Sequence, residues 1–163
     1  MTDLREVASE LGLKEVKTVL QSGNLVFRES DRSNEELERL LETEVHRQLN
    51  VQADFHVRTQ SQIESLIGQN PFPIEAQEDP SHLVVVFFKS QIQTVDCEAL
   101  RAAIRGRERF QALGREAYFT YPDGIGDSKL TTNLMDSKLR MRGTGRNWNT
   151  LLKLSELAKS LNV

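Results

Sequence analysis

Residues 83–88 read Leu83-Val84-Val85-Val86-Phe87-Phe88, the longest uninterrupted apolar run in the chain. Six residues fall far short of the about 20 that a membrane helix needs. A short run of valine, leucine and phenylalanine fits instead a strand covered on both faces, at the centre of a sheet. Forward from it, Asp96 is expected to cap a helix carrying Cys97, Leu100 and Ile104. Phe110–Leu113 and Ala117–Tyr121 flank Gly114 as a hairpin. A helix is expected from Asp127 to Leu139 and a last one from Asn147 to Leu161.

Backward from the run lies Ile74–Ser81, an acidic, proline-bounded stretch that reads as a linker. Before it, Leu4, Val7, Ala8 and Leu11 recur at helical spacing, and Gly12 suits a C-terminal cap. Val16–Leu20 and Leu25–Arg28 read as strands joined by Gln21-Ser22-Gly23-Asn24, whose residues favour a tight turn. Ser33 and Glu36 have capping-box spacing ahead of the stripe Leu37, Leu40, Leu41, Val45 and Leu49. Ala53, Phe55 and Val57 alternate with Asp54, His56 and Arg58 as a half-exposed strand should. Thr59 with Gln62 opens a short helix that Asn70-Pro71-Phe72-Pro73 ends.

Strands and helices mix without strict βαβ alternation, so the class is α+β. The expected division is a first half at 1–73, a linker at 74–81 and a second half at 82–163, or one continuous domain over 1–163. The first half's order, helix–strand–strand–helix–strand, is that of a ferredoxin-like unit without its opening strand.

The chain has 163 residues, 38% hydrophobic and 28% charged, enough to build a core burying about 70% of the unfolded surface. The single cysteine, Cys97, excludes an internal disulfide and any multi-cysteine metal site. Met1-Thr2-Asp3-Leu4-Arg5 leads into charged amphipathic sequence, so a cytoplasmic setting with no membrane partner is expected. The net charge of -3 divides unevenly. Residues 1–81 carry 16 acidic against 8 basic side chains, and residues 82–163 carry 8 against 13. The second half is therefore the cationic one.

Metal and hydrolase patterns fail. His46, His56 and His82 show no i, i+4 pairing about a glutamate, and solvated surface positions suit His46 and His56. Ser22 lacks the glycines of a nucleophile elbow. Cys97 falls on an apolar helix face, as an inert core thiol does.

Three polar motifs remain. In Gln21-Ser22-Gly23-Asn24, turn formation explains Ser22, Gly23 and Asn24 but not Gln21. Tyr121-Pro122-Asp123-Gly124-Ile125-Gly126-Asp127-Ser128-Lys129 would place Ser128 and Lys129 in a first helical turn, where free N–H groups attract anions. Asp127 could cap the same groups and repel an anion, so strand–turn–helix punctuation is the other reading. Thr144-Gly145-Arg146-Asn147-Trp148-Asn149-Thr150 holds the only tryptophan, best suited to the core. Its Arg146 can pair with phosphate, and Asn147 and Asn149 can read polar edges. A capped helix with Arg146 in a salt bridge explains the same residues.

Four stretches together resemble the bacterial DUF1697 family of unknown function. They are Leu20-Gln21-Ser22-Gly23-Asn24-Leu25-Val26-Phe27, Asn70-Pro71-Phe72, Pro122-Asp123-Gly124-Ile125-Gly126-Asp127-Ser128-Lys129-Leu130 and Arg146-Asn147-Trp148-Asn149-Thr150. The resemblance implies a small cytosolic α+β protein with ferredoxin-like halves, and brings no reaction, substrate or cofactor. The family's opening strand and glycine-rich loop have no counterpart here, and Asp127 stands where a basic residue is commoner. A missing strand would leave a sheet edge open to self-association.

The leading expectation is a binding module for a phosphate-bearing small molecule or nucleic acid, using no cofactor. Its site residues are Gln21, Ser22, Asn24, Ser128, Lys129, Arg146, Asn147 and Asn149. An enzyme using the same pocket, with Lys129 or Asp123 as acid–base groups, is one alternative. The other is a protein-interaction module whose polar motifs only cap helices and turns.

Overall fold

The computed structural model describes residues 2–19 and 23–161, which form two compact units. Residues 1–65 with 152–163 make the first unit and residues 66–151 the second. The stretch expected as a linker at 74–81 is helical and lies inside the second unit. The end of the last helix belongs with the first.

The first unit opens with α1 (Thr2–Glu10), then a hairpin of β1 (Lys14–Val19) and β2 (Asn24–Arg28), paired antiparallel. Asn24 Nδ2 donates to the Val19 carbonyl at 3.2 Å, closing the turn end of that ladder. Next comes α2 (Asn34–Leu49), whose N-terminus carries the expected capping box. Ser33 Oγ accepts the Glu36 N–H, and the Glu36 carboxylate accepts the Ser33 N–H. Thr59 and Gln62 repeat the device at the start of α3 (Gln60–Gly68).

The hairpin is covered on both faces. Val16, Leu25 and Phe27 meet a core of Ala8, Leu13, Leu37 and Leu41. Val19 and Val26 meet Leu154, Leu157, Ala158 and Leu161 of α7 (Trp148–Leu161).

Residues 53–57 alternate as a strand should but form none. The Phe55 and Val57 N–H groups donate instead to the Glu42 and Glu38 carboxylates of α2, each at 2.9 Å. Two side chains thus supply acceptors that a neighbouring strand would provide. His56 is not a solvated surface residue, because both its ring nitrogens are closed off from water. His46 is exposed on α2.

In the second unit, α4 (Pro73–Glu78) and a 3-10 turn (Pro80–His82) precede β3 (Leu83–Phe88). Then come α5 (Thr94–Ala103), β4 (Arg109–Leu113), β5 (Glu116–Thr120), α6 (Thr132–Leu139) and β6 (Gly143–Asn147). The sheet order is β4-β5-β3-β6, antiparallel throughout, which is the ferredoxin-like arrangement. As the apolar run implies, β3 is internal. Its Val86 and Phe88 face Cys97 and Leu100 of α5 and Met135 and Leu139 of α6, with Phe110 stacked on Phe119.

Three boundaries depart from the sequence expectations. Gln93, not Asp96, is the N-cap of α5. The helix expected from Asp127 begins only at Thr132, with Thr131 Oγ1 accepting the Leu134 N–H. Residues 143–147 form β6, unforeseen because two of its five residues are glycine. Glycine is required there: a Cβ on Gly143 would lie 2.5 Å from Phe88 Cε1 and 2.6 Å from Val86 Cγ1.

Candidate functional site

One end of the second unit's sheet gathers most of the polar features. Leu83 at the start of β3 pairs with Thr120 at the end of β5, and Val84 pairs with Asn147 at the end of β6. The loop holding Ser128 and Lys129 and the turn from β6 into α7 therefore leave the sheet at the same end. The second and third motifs depart from one edge of the fold.

Each expected residue has a definite place there. Ser128 is not in a helical turn. Its hydroxyl donates to Glu108 Oε1 at 2.6 Å and accepts the Leu130 N–H at 3.0 Å, so the loop is tied by its own side chain. The helix-terminus argument for anion binding at Ser128 and Lys129 falls with the later start of α6. Lys129 is exposed. Asp123 is bonded by the Arg107 guanidinium, which holds its carboxyl below the usual range, so it is a poor proton acceptor.

Asn147 Oδ1 accepts the Thr150 N–H at 2.9 Å and caps α7. Trp148 is buried and Asn149 exposed. Arg146 pairs across the ladder with Val85, which puts it on the sheet face away from α5 and α6. It is half-buried, and its Nη1 donates to the Gly145 carbonyl at 2.8 Å. Burial pushes its pKa down, because a desolvated guanidinium is less stable charged. Asn24 belongs to the first unit and is buried on its hydrogen bond to Val19. Gln21 and Ser22 lie outside the described residues.

Sequence reasoning missed a small cleft at this same sheet end, about 80 Å³ in volume. Glu75, Asp79, His82, Arg109, Thr120, Tyr121 and Pro122 line it. His82 Nδ1 lies 3.0 Å from Asp79 Oδ2 across the 3-10 turn, and Arg109 Nη2 donates to Glu75 at 2.6 Å. A histidine beside a carboxylate can hold or pass a proton, and an arginine fork can engage phosphate or carboxylate. The Arg109 guanidinium also stands 5.1 Å over the Phe72 ring. Asn70 fixes Phe72 by bonding both its N–H and its carbonyl, at 3.0 and 3.1 Å. The Asn70-Pro71-Phe72 motif thus positions a ring beneath Arg109. No spacing in the sequence signals that the acid–histidine and acid–arginine pairs meet.

The α+β chain with its ferredoxin-like second unit belongs to a class of proteins defined by family rather than by reaction. The family model for DUF1697, a protein of unknown function, matches residues 1–118, and the chain is a member of that family. Among solved structures, the fold is similar to that of the conserved bacterial protein SP0830 from Streptococcus pneumoniae. The TM-score is 0.74 at 19% identity, over 97% of this chain and 88% of that one. No curated protein matches.

Proposed function

We propose that the chain is a binding protein for a phosphate-bearing ligand, engaged through Arg146 in the second unit. The observation that carries this reading is geometric: Arg146 sits half-buried on a sheet face, at the end from which the Lys129 loop and the Asn149 turn also leave. An arginine fork with a lysine on the neighbouring loop can engage a phosphate group. The net positive charge of residues 82–163 and the exposure of Lys129 and Asn149 support it. The internal use of Asn24, Ser128 and Asn147 narrows the described candidates to Arg146, Lys129 and Asn149, with Gln21 and Ser22 outside the described residues.

Binding of labelled oligonucleotides and of nucleotides, titrated over salt for wild type and Arg146→Ala, tests the reading. Expected is affinity that falls as salt rises and is lost in the variant. Affinity indifferent to salt and to Arg146 ends it. That result would favour the second reading, a protein-interaction module, for which the same internal hydrogen bonds of Asn24, Ser128 and Asn147 speak.

A further inference from the structure

The cleft between α4, the 3-10 turn and the β4–β5 pair holds polar groups that the fold itself does not use up. Several of its groups are closed. The Thr120 hydroxyl accepts the Arg109 N–H at 3.3 Å, and the Tyr121 hydroxyl donates to the Leu130 carbonyl at 3.4 Å. Asp79 turns both carboxylate oxygens to His82 Nδ1, at 2.9 and 3.0 Å. What stays open lies on Arg109 and on the far side of the His82 ring.

Arg109 is held from two directions. Its guanidinium stands 5.1 Å over the Phe72 ring, and Nη2 donates to Glu75 at 2.6 Å. A guanidinium presents two edges of paired N–H groups. The Glu75 contact takes one edge, and among the described residues nothing bonds the other. Such an edge matches the two oxygens of a carboxylate. His82 is oriented by the same means. A carboxylate accepts and does not donate, so the proton between the ring and Asp79 belongs to Nδ1. In the neutral ring Nε2 is then an acceptor, ready for a hydroxyl.

Size and charge narrow the ligand. The cleft's volume of about 80 Å³ is a little under that of three water molecules at about 30 Å³ each, so the ligand is compact. Glu75 and Asp79 both stand at the cleft, and a singly charged acid meets less repulsion from them than a dianion does. Among the described residues no three acidic, histidine or cysteine side chains are placed to share a metal ion.

We infer that this cleft is a second binding site, separate from the one around Arg146, for a compact hydroxy acid. The acid's carboxylate bonds the open edge of Arg109, and its hydroxyl donates to His82 Nε2. Asp79 and Glu75 act as positioning residues for the two groups that touch the ligand.

Amide nitrogen–proton spectra of the full chain, titrated with glycolate, acetate and glycolamide, test this. Glycolate is expected to shift the amides of His82, Arg109 and Thr120 saturably. Acetate, without the hydroxyl, is expected to bind roughly threefold more weakly. Glycolamide, without the charge, is expected to shift none of them. Arg109→Lys keeps a cation but not the paired edge and is expected to weaken glycolate roughly tenfold. Glu75→Gln keeps an acceptor for Arg109, removes the opposing charge and is expected to tighten binding roughly threefold. The absence of a saturable shift overturns the inference, as does glycolate affinity unchanged in both variants. Equal affinity for acetate or glycolamide overturns the assignment to a hydroxy acid. Shifts confined to the amides of Lys129 and Arg146 also overturn it, assigning the acid to the site proposed above.

Discussion

Glu38 Oε1 accepts the Val57 N–H at 2.9 Å and lies 3.7 Å from the Arg58 guanidinium, with both side chains almost wholly shielded from water. One carboxylate of α2 therefore anchors the segment that fails to become a strand. Glu38→Ala removes the acceptor and the charge together and is expected to cost about 3 kcal/mol in urea unfolding. Glu38→Gln keeps an acceptor for Val57 and is expected to cost less. A loss below about 1 kcal/mol for the alanine variant would show that the anchor is not structural.

Gly143→Ala is expected to cost about 2 kcal/mol, because its methyl meets Phe88 and Val86 in a core that cannot retreat. Gly126→Ala, with nothing within 4 Å and no left-handed backbone, is the matched control. It is expected to stay within about 0.5 kcal/mol of wild type. Equal midpoints for the two variants would remove the close-approach account of β6.

Both tyrosines of the chain are buried. Burial pushes the Tyr118 hydroxyl up to about 12 from an ordinary 10.0, and Tyr121 higher still. The Tyr118 hydroxyl donates to the Leu66 carbonyl at 2.6 Å. A pKa raised on folding gives stability that is complete below the unfolded value and lost as pH climbs toward the folded one. Phenolate absorbance is thus expected to stay flat through pH 10.0 and to rise together with loss of secondary structure. Absorbance rising near pH 10.0 in a chain still folded would contradict this.

Cys97 is buried on α5 among Leu100, Met135 and Leu139, and desolvation raises its thiol pKa. Reactivity follows the thiolate and its access. Ellman's reagent is expected to titrate it at the rate of unfolding and to react at once in denaturant. Rapid modification of the native chain would show an opening that the core packing denies.

Much of the fold was legible because periodicity and caps act locally. The hairpin around Gly23, the two capping boxes and the central position of Leu83–Phe88 all follow from neighbouring residues. Residues 53–57 misled because alternation reports which side chains face a core, whereas strand formation needs a partner strand. β6 was hidden for the opposite reason: Gly143 and Gly145 answer the bulk of Phe88 and Val84 across the ladder, so the strand has no apolar pattern of its own. Of the proposed site, Arg146 and Asn149 stand out in the sequence as polar residues around a helix start. Ser128 misled because its hydroxyl ties the loop to Glu108 and Leu130 and delays the helix to Thr132. The cleft beside His82 needs contacts between Glu75 and Arg109 that sequence spacing does not encode.

Leu154, Leu157 and Leu161 of α7 reach back to cover Val19 and Val26, more than a hundred residues earlier in the chain. During synthesis the second unit emerges as one unbroken stretch and can close while the polypeptide is still growing. The β1–β2 hairpin, made long before, keeps one face bare until the final helix has been translated. A hairpin made early is thus finished only after the second unit, and for that interval its bare apolar face is the part most in need of a chaperone.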